Sequence, residues 1–153
     1  MIYISLICFM LIVVVGSFLH RGLPDCVSDF YFVFGKWFSI LMVATGVFML
    51  PPMLDYTPED YEFLAFLTCT GIMFVGVAPN YLADVERGVH KAGAMISGIS
   101  SIAWTACVSP WHCLLLLVWI VGFIDNKRWL LWFELPCFLM IFLSMAYFLT
   151  LES

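Results

Sequence analysis

The strongest constraint on this chain is that its apolar residues come in long runs, each close to the length of a membrane-crossing helix, with only short polar or proline-bearing breaks between them. An α-helix needs about 20 consecutive apolar residues to cross the roughly 30 Å hydrocarbon core of a bilayer. The first run covers residues 2–19 and ends at His20, Arg21 and Gly22. A second helix is predicted over residues 30–50, stopped by Pro51 and Pro52, which lack the N–H that a continuing helix uses. Further helices are predicted over residues 63–81, 92–108, 112–124 and 129–151. They are parted by the acidic stretch 55–62, the polar stretch 80–91, the break Ser109-Pro110-Trp111 and the turn 125–128. The fold class that follows is all-α: one integral membrane bundle of six transmembrane helices over residues 1–153. Five helices plus a re-entrant or bent segment is the alternative.

Composition supports lipid as the solvent. Hydrophobic residues make up 64% of the chain and charged residues 11%, against about 25% charged in a soluble domain. A chain of this size leaves too much of itself on the surface to hide that excess. Only six Lys or Arg occur and they form no basic stripe, so nucleic acid is not an expected partner. The first run has neither a basic flank before it nor a small-x-small cleavage site, and it is longer than the apolar core of a secretion signal. It is therefore read as the first helix of the mature protein.

The fifth helix is the shortest. Its strictly apolar part, residues 113–124, reaches only about 18 Å. Extending it from Trp111 to Trp129 gives about 28 Å, with a tryptophan at each interface, where that residue is favoured. The rival is one bent helix over 92–124, and charge placement decides between the two. With six helices, Arg21 and Lys36, Arg87 and Lys91, and Lys127 and Arg128 all fall on one side, as the enrichment of basic residues in cytoplasmic loops requires. Five helices would strand the last pair on the opposite side. The expected location is thus a bacterial-type inner membrane, with both termini and the acidic loop outside.

Six cysteines are spread over the chain without a CxxC pair, mostly inside apolar stretches, and read as small buried hydrophobes. Cys107 and Cys113 flank one short outer turn, near enough in sequence for a disulfide. Among polar residues, Glu134 stands out, because a carboxylate inside a membrane helix usually faces the bundle interior or a wet cavity. Pro136 beside it deprives the Trp132 carbonyl of its helical donor. The alternative is a carboxylate that snorkels to the interface. Along the fourth helix, His90, Ala94, Ser97, Ser101 and Thr105 share one face, and Gly93, Ser97 and Ser101 form a small-xxx-small series suited to close packing in lipid. Ser28 and Asp29 open the second helix, where either side chain can cap free N–H groups. Asp29, His90 and Glu134 fall at the same cytoplasmic depth, with His20, Asp84 and Glu86 nearby. Ser28, Asp29, His90, Ser97 and Glu134 are accordingly the candidate ligand-binding residues, facing one inward-open cavity.

Two resemblances bear on these residues. Pro24-Asp25-Cys26-Val27-Ser28-Asp29-Phe30-Tyr31, Gly76-Val77-Ala78-Pro79-Asn80 and Val89-His90-Lys91-Ala92-Gly93-Ala94 resemble small uncharacterised multi-pass membrane proteins of bacteria, which implies a helical bundle with no assigned activity. Ser28, Asp29 and His90 also give a more distant similarity to the alkaline ceramidase-like membrane metal hydrolases. That family combines a serine, an aspartate and three histidines, two of them spaced His-x-x-x-His. Here only His20, His90 and His112 exist, no such pair occurs, and His112 falls at the opposite face.

The expected function is binding or moving a lipid or small solute through a polar cytoplasm-facing cavity. The competitors are a membrane-embedded lipid hydrolase using Asp29, His90 and Glu134 as metal ligands or acid–base groups, and an accessory or structural subunit. The expected partners are the lipid bilayer, a small-molecule or lipid ligand and further copies of the chain in a homo-oligomer. No cofactor or metal is expected. The topology is testable with single cysteines at Lys127 or Asp60 in a chain otherwise free of cysteine. An impermeant maleimide applied from outside should label position 60 and spare position 127; the reverse pattern overturns the orientation.

Overall fold

The structure, a computed structural model, describes residues 1–152, and among these every regular element is helical. Helix α1 spans Ile2–His20, with a π-wound middle over Leu11–Val15. It closes on Arg21 in the left-handed region (φ 59°). The Gly22 N–H reaches the Ser17 carbonyl at 3.1 Å and the Arg21 N–H reaches Phe18 at 3.3 Å, a Schellman closure that caps two free carbonyls. A 3-10 turn, Val27–Phe30, then runs into the short helix Tyr31–Phe34.

Helix α2 spans Lys36–Asp55, so its expected bounds of 30–50 are corrected at both ends. Gly35, at φ 55°, breaks the chain before it. At the other end the helix carries Pro51 and Pro52 inside it. Proline removes one ladder bond and not the helix itself, and membrane helices tolerate the loss where neighbouring groups or water satisfy the freed carbonyls. Helix α3, Glu62–Val77, ends earlier than predicted. Helix α4, Asp84–Val108, begins well before residue 92 and takes in the polar stretch expected to be a loop. Ser109 then adopts an extended φ of −152° and separates α4 from α5, Pro110–Ile124, so the two are not one bent helix. Ten residues of α5 are wound as a 3-10 helix. At about 2.0 Å per residue for that part and about 1.5 Å for the α-helical remainder, α5 reaches about 27 Å. Its exposed residues Trp111, Leu114, Leu117 and Ile120 recur every third position, as 3-10 winding dictates. Helix α6 spans Leu131–Glu152 with Pro136 inside it.

Four of these helices, α1, α2, α3 with its preceding turn, and α6, are long and apolar enough to cross a membrane. The six crossings expected from the sequence thus stand at four by length and composition. Helix α4 carries Asp84, Glu86, Arg87 and Lys91 in its opening turns, and α5 is short. Outward apolar side chains such as Tyr3, Ile7, Met10, Val14 and Phe18 form a stripe on α1 at the three- and four-residue spacing of one helical face. All six cysteines are free, Cys107 and Cys113 included.

Neighbouring helices alternate in direction. Ser5 donates to the Thr45 carbonyl at 2.9 Å between α1 and α2, and Thr68 donates to Ser100 at 2.9 Å between α3 and α4. Helix α6 runs alongside α4 and closes the bundle against α1, where Phe9 and Phe138 stack at 4.1 Å. At the acidic end, Trp104 Nε1 donates to Thr57 at 2.6 Å. Helix α4 packs on α3, α5 and α6.

The tightest approach of one helix backbone to another is between α3 and α4. A Cβ on Gly71 would lie 2.6 Å from the Ser97 nitrogen and 2.7 Å from the Gly93 carbonyl oxygen, and one on Gly93 would lie 2.8 Å from the Gly71 oxygen. Backbone cannot yield as a side chain does, so Gly71→Ala should destabilise the protein by about 1–3 kcal/mol, the usual range for overpacking. Gly88, on the same helix α4, has nothing within 4 Å of a new Cβ, and Gly88→Ala should stabilise by about 0.5–1 kcal/mol. Thermal melting in detergent checks both; a Gly71→Ala protein that melts at or above the parent would contradict the close helix contact.

Candidate functional site

The site is built around the 3-10 turn Val27–Phe30. Asp25 and Cys26 lead into it, and Asp29 reaches back to accept from the N–H groups of Asp25 at 2.9 Å and Cys26 at 3.2 Å. This is a capping box with Cys26 as the capping residue, so the capping role falls to Asp29 from inside the turn and not to Ser28. The other oxygen of Asp29 accepts from the Tyr81 hydroxyl in the loop between α3 and α4. Burial, and then that hydrogen bond, raise the Tyr81 pKa above its ordinary value. The Cys26 thiol is pushed up to about 12, first by burial and then by the negative charges of Glu134 and Asp29.

Ser28 points the other way and lies 2.9 Å from His90 Nε2 on α4. His90 Nδ1 lies 2.8 Å from the Ala78 carbonyl oxygen. A carbonyl only accepts, so Nδ1 carries the proton. The ring is buried with no carboxylate bonded to it, which favours the neutral form. Nε2 is then an acceptor, and the Ser28 hydroxyl donates its proton to it. Ser28 is left with lone pairs alone for any further contact.

Glu134, in the first turn of α6, accepts from the Val27 N–H through Oε2 at 2.7 Å. Val27 and Ser28 therefore bridge Glu134 on α6 to His90 on α4. Lys127 adds an ion pair to Asp25 at 3.5 Å, and the Leu131 N–H reaches the Asp25 carbonyl at 3.2 Å.

Between α2, α3, α4 and α6 lies a cavity of about 50 Å³, whose polar lining comes from Ser28, Thr68, Ser97, Ser101, Glu134 and Cys137. The structure thus brings Ser28, Ser97 and Glu134 together on one cavity. His90 and Asp29 do not line it: His90 stands behind Ser28, and the Asp29 carboxylate is taken up by the turn and by Tyr81. The expectation that Asp29, His90 and Glu134 all face one cavity is corrected on that point. Tyr81, the Ala78 carbonyl and Thr68 escaped the sequence reading, because nothing local to them signals their partners.

The other two histidines do not join this group. His20 is exposed at the end of α1. His112 Nδ1 sits at the opposite end, 2.9 Å from both Ser109 and Ser144. Among the described residues no group of three His, Cys, Asp or Glu side chains could hold a metal ion, so Asp29, His90 and Glu134 do not form the ligand set that a metal hydrolase of the ceramidase-like type would require. Comparison with protein-family models, with curated proteins and with solved structures finds no match for the chain.

The bridging contacts are testable one at a time. Ser28→Ala leaves the buried His90 Nε2 without a partner and should cost about 1–3 kcal/mol. Glu134→Gln keeps an acceptor for the Val27 N–H and should melt near the parent, while Glu134→Leu should lose about as much as Ser28→Ala. Equal losses for the Gln and Leu variants would show that the Val27 contact is not what the carboxylate supplies.

Proposed function

We propose that this chain is a six-span protein of a bacterial-type inner membrane, with both termini outside, whose cytoplasmic end holds a cavity that binds or passes a small solute. The alternating helix directions support one orientation, since they carry Arg21, Lys36, Arg87, Lys91, Lys127 and Arg128 to one end, the side that basic residues favour. The reach of α5, about 27 Å, supports a crossing by that helix as well. A likeness to small multi-pass bacterial proteins belongs to the same reading.

The observation that carries the functional part is the cavity beside Ser28 and Glu134, a mainly apolar space with a few polar groups on its wall. The Val27 N–H occupies one oxygen of Glu134, and a carboxylate in an apolar helix is costly unless its remaining lone pairs are met as well. A cavity of about 50 Å³ holds a few water-sized groups at most, so the reading narrows from a lipid or small solute to a small solute. The walls are fixed by helix contacts and the inner mouth by the Val27–Phe30 turn, which gives the site shape before any ligand arrives.

Access from the cytoplasm is the test. In a chain with its six cysteines replaced by alanine, Ser97→Cys puts one thiol on the cavity wall. Silver ions added to inside-out vesicles should block that thiol against later maleimide labelling in denaturant, and should do so much more slowly in right-side-out vesicles. A thiol that stays fully reactive, or is blocked equally from both sides, overturns the inward-facing cavity.

A further inference from the structure

A second space lies on the surface of the molecule, away from Glu134. It is an open groove of about 290 Å³ between α1 and α2, walled by Leu11 and Val15 on one side and by Phe34, Trp37 and Leu41 on the other. Both helices are long and apolar enough to cross a membrane, so a groove between them opens toward acyl chains. Leu11–Val15 is the π-wound part of α1, a rare winding that recurs at functional sites. Trp37 is 58% exposed and follows Lys36 directly. A tryptophan beside a lysine at a helix end sits at the level of the lipid headgroups, ring in the interface and ammonium in water.

A second observation concerns charge. At this end of the bundle Arg87 pairs with Asp84, Lys127 with Asp25 and Arg128 with Asp125. The remaining carboxylates, Asp29, Glu86 and Glu134, accept from backbone N–H groups. Among the described residues Arg21, Lys36 and Lys91 are left without an ion pair. Two of these three belong to the helices that form the groove, at its Trp37 end. Lys36 opens α2, and Arg21 closes α1, whose last turn packs against the short helix that carries Phe34. An apolar groove that ends in two unmatched cations is complementary to an acyl chain joined to a phosphate.

We infer that this groove is a binding site for an anionic phospholipid, with the upper part of one acyl chain along Leu11, Val15 and Leu41 and the phosphate on Lys36 and Arg21. The site stands apart from the cavity, and its place does not depend on which end of the bundle faces the cytoplasm. A zwitterionic phospholipid suits the apolar walls equally well, but its own positive group opposes the two cations. Each basic residue near an anionic surface is worth about fivefold in affinity, so net negative charge decides between them. A second copy of the chain is the poorer occupant. Inserted the same way up, it brings its own unmatched cations to the same depth, while its acidic residues 55–62 lie at the other end.

The test uses Trp37 as a reporter of what lies in the groove. The full chain is reconstituted in phosphatidylcholine vesicles that hold a minor fraction of phospholipid with brominated acyl chains, since bromine quenches the tryptophans it touches. The quenching lost in Trp37→Phe isolates the groove from the other tryptophans. That part should respond several-fold more strongly to brominated phosphatidylglycerol than to brominated phosphatidylcholine. Arg21→Gln combined with Lys36→Gln should make the two lipids equal. Val15→Phe, which narrows the groove and keeps both cations, should weaken the preference as well. Lys91→Gln, which removes the third unmatched cation, lies on α4 and off the groove and should leave the preference intact. Equal quenching by the two lipids in the parent chain overturns the site, as does a preference that survives the double variant or Val15→Phe unchanged. A preference that Lys91→Gln abolishes as fully as the double variant belongs to the surface charge as a whole, and the groove falls. A Trp37 that neither lipid quenches assigns the groove to a second copy of the chain, and the lipid site falls with it.

Discussion

The end of this bundle that carries Val27–Phe30 depends on one constraint: a short, largely buried turn must satisfy polar groups from several helices. Val27–Phe30 does this by dividing its groups among them. Its first N–H goes to Glu134 on α6, its serine to His90 on α4, and its aspartate to Tyr81 and to its own preceding backbone. Phe30, almost fully buried, lies so close under Gly16 of α1 that a Cβ there would meet its ring at 2.5 Å. In lipid each unsatisfied backbone group costs several kcal/mol. The cap of one turn is therefore also the tie between helices distant in sequence.

The same economy shapes α4. On its α3 side, Gly93 meets Gly71 backbone to backbone and Ser100 receives the Thr68 proton. On its α6 side, a Cβ on Gly98 would meet no backbone, only the Phe133 ring at 3.3 Å. Small residues let helices close where the partner is also small, and leave a gap where the partner helix holds its bulk elsewhere. The cavity is that gap, lined by hydroxyls that already bond their own helix. A helix that packs tightly on one neighbour thereby keeps a looser seam toward another.

The apolar runs were legible because lipid imposes one length and one polarity on any crossing helix. Glu134, Ser28 and His90 were legible as polar residues in apolar surroundings. What they bond was not, because Val27 and Ala78 contribute through backbone groups and carry no pattern of their own. Helix bounds failed where a rule for one residue met a longer-range context. Pro51 and Pro52 ride inside α2, and the charged residues 84–91 continue α4 where a loop was expected. The winding of α5 was invisible for a different reason. In a run such as Leu114-Leu115-Leu116-Leu117, every period fits equally well, and only the folded structure shows which residues face out.

That winding has a mechanical consequence. A 3-10 helix is the drawn-out form of an α-helix, longer by about 0.5 Å per residue. Over the ten residues of Pro110–Trp119, the difference comes to about 5 Å, roughly the pitch of one α-helical turn. Rewinding would also rotate the file of Trp111, Leu114 and Leu117 away from a single line, since it exists only at three residues per turn. The length of α5 and the line of its outward side chains are thus set together, by one and the same winding.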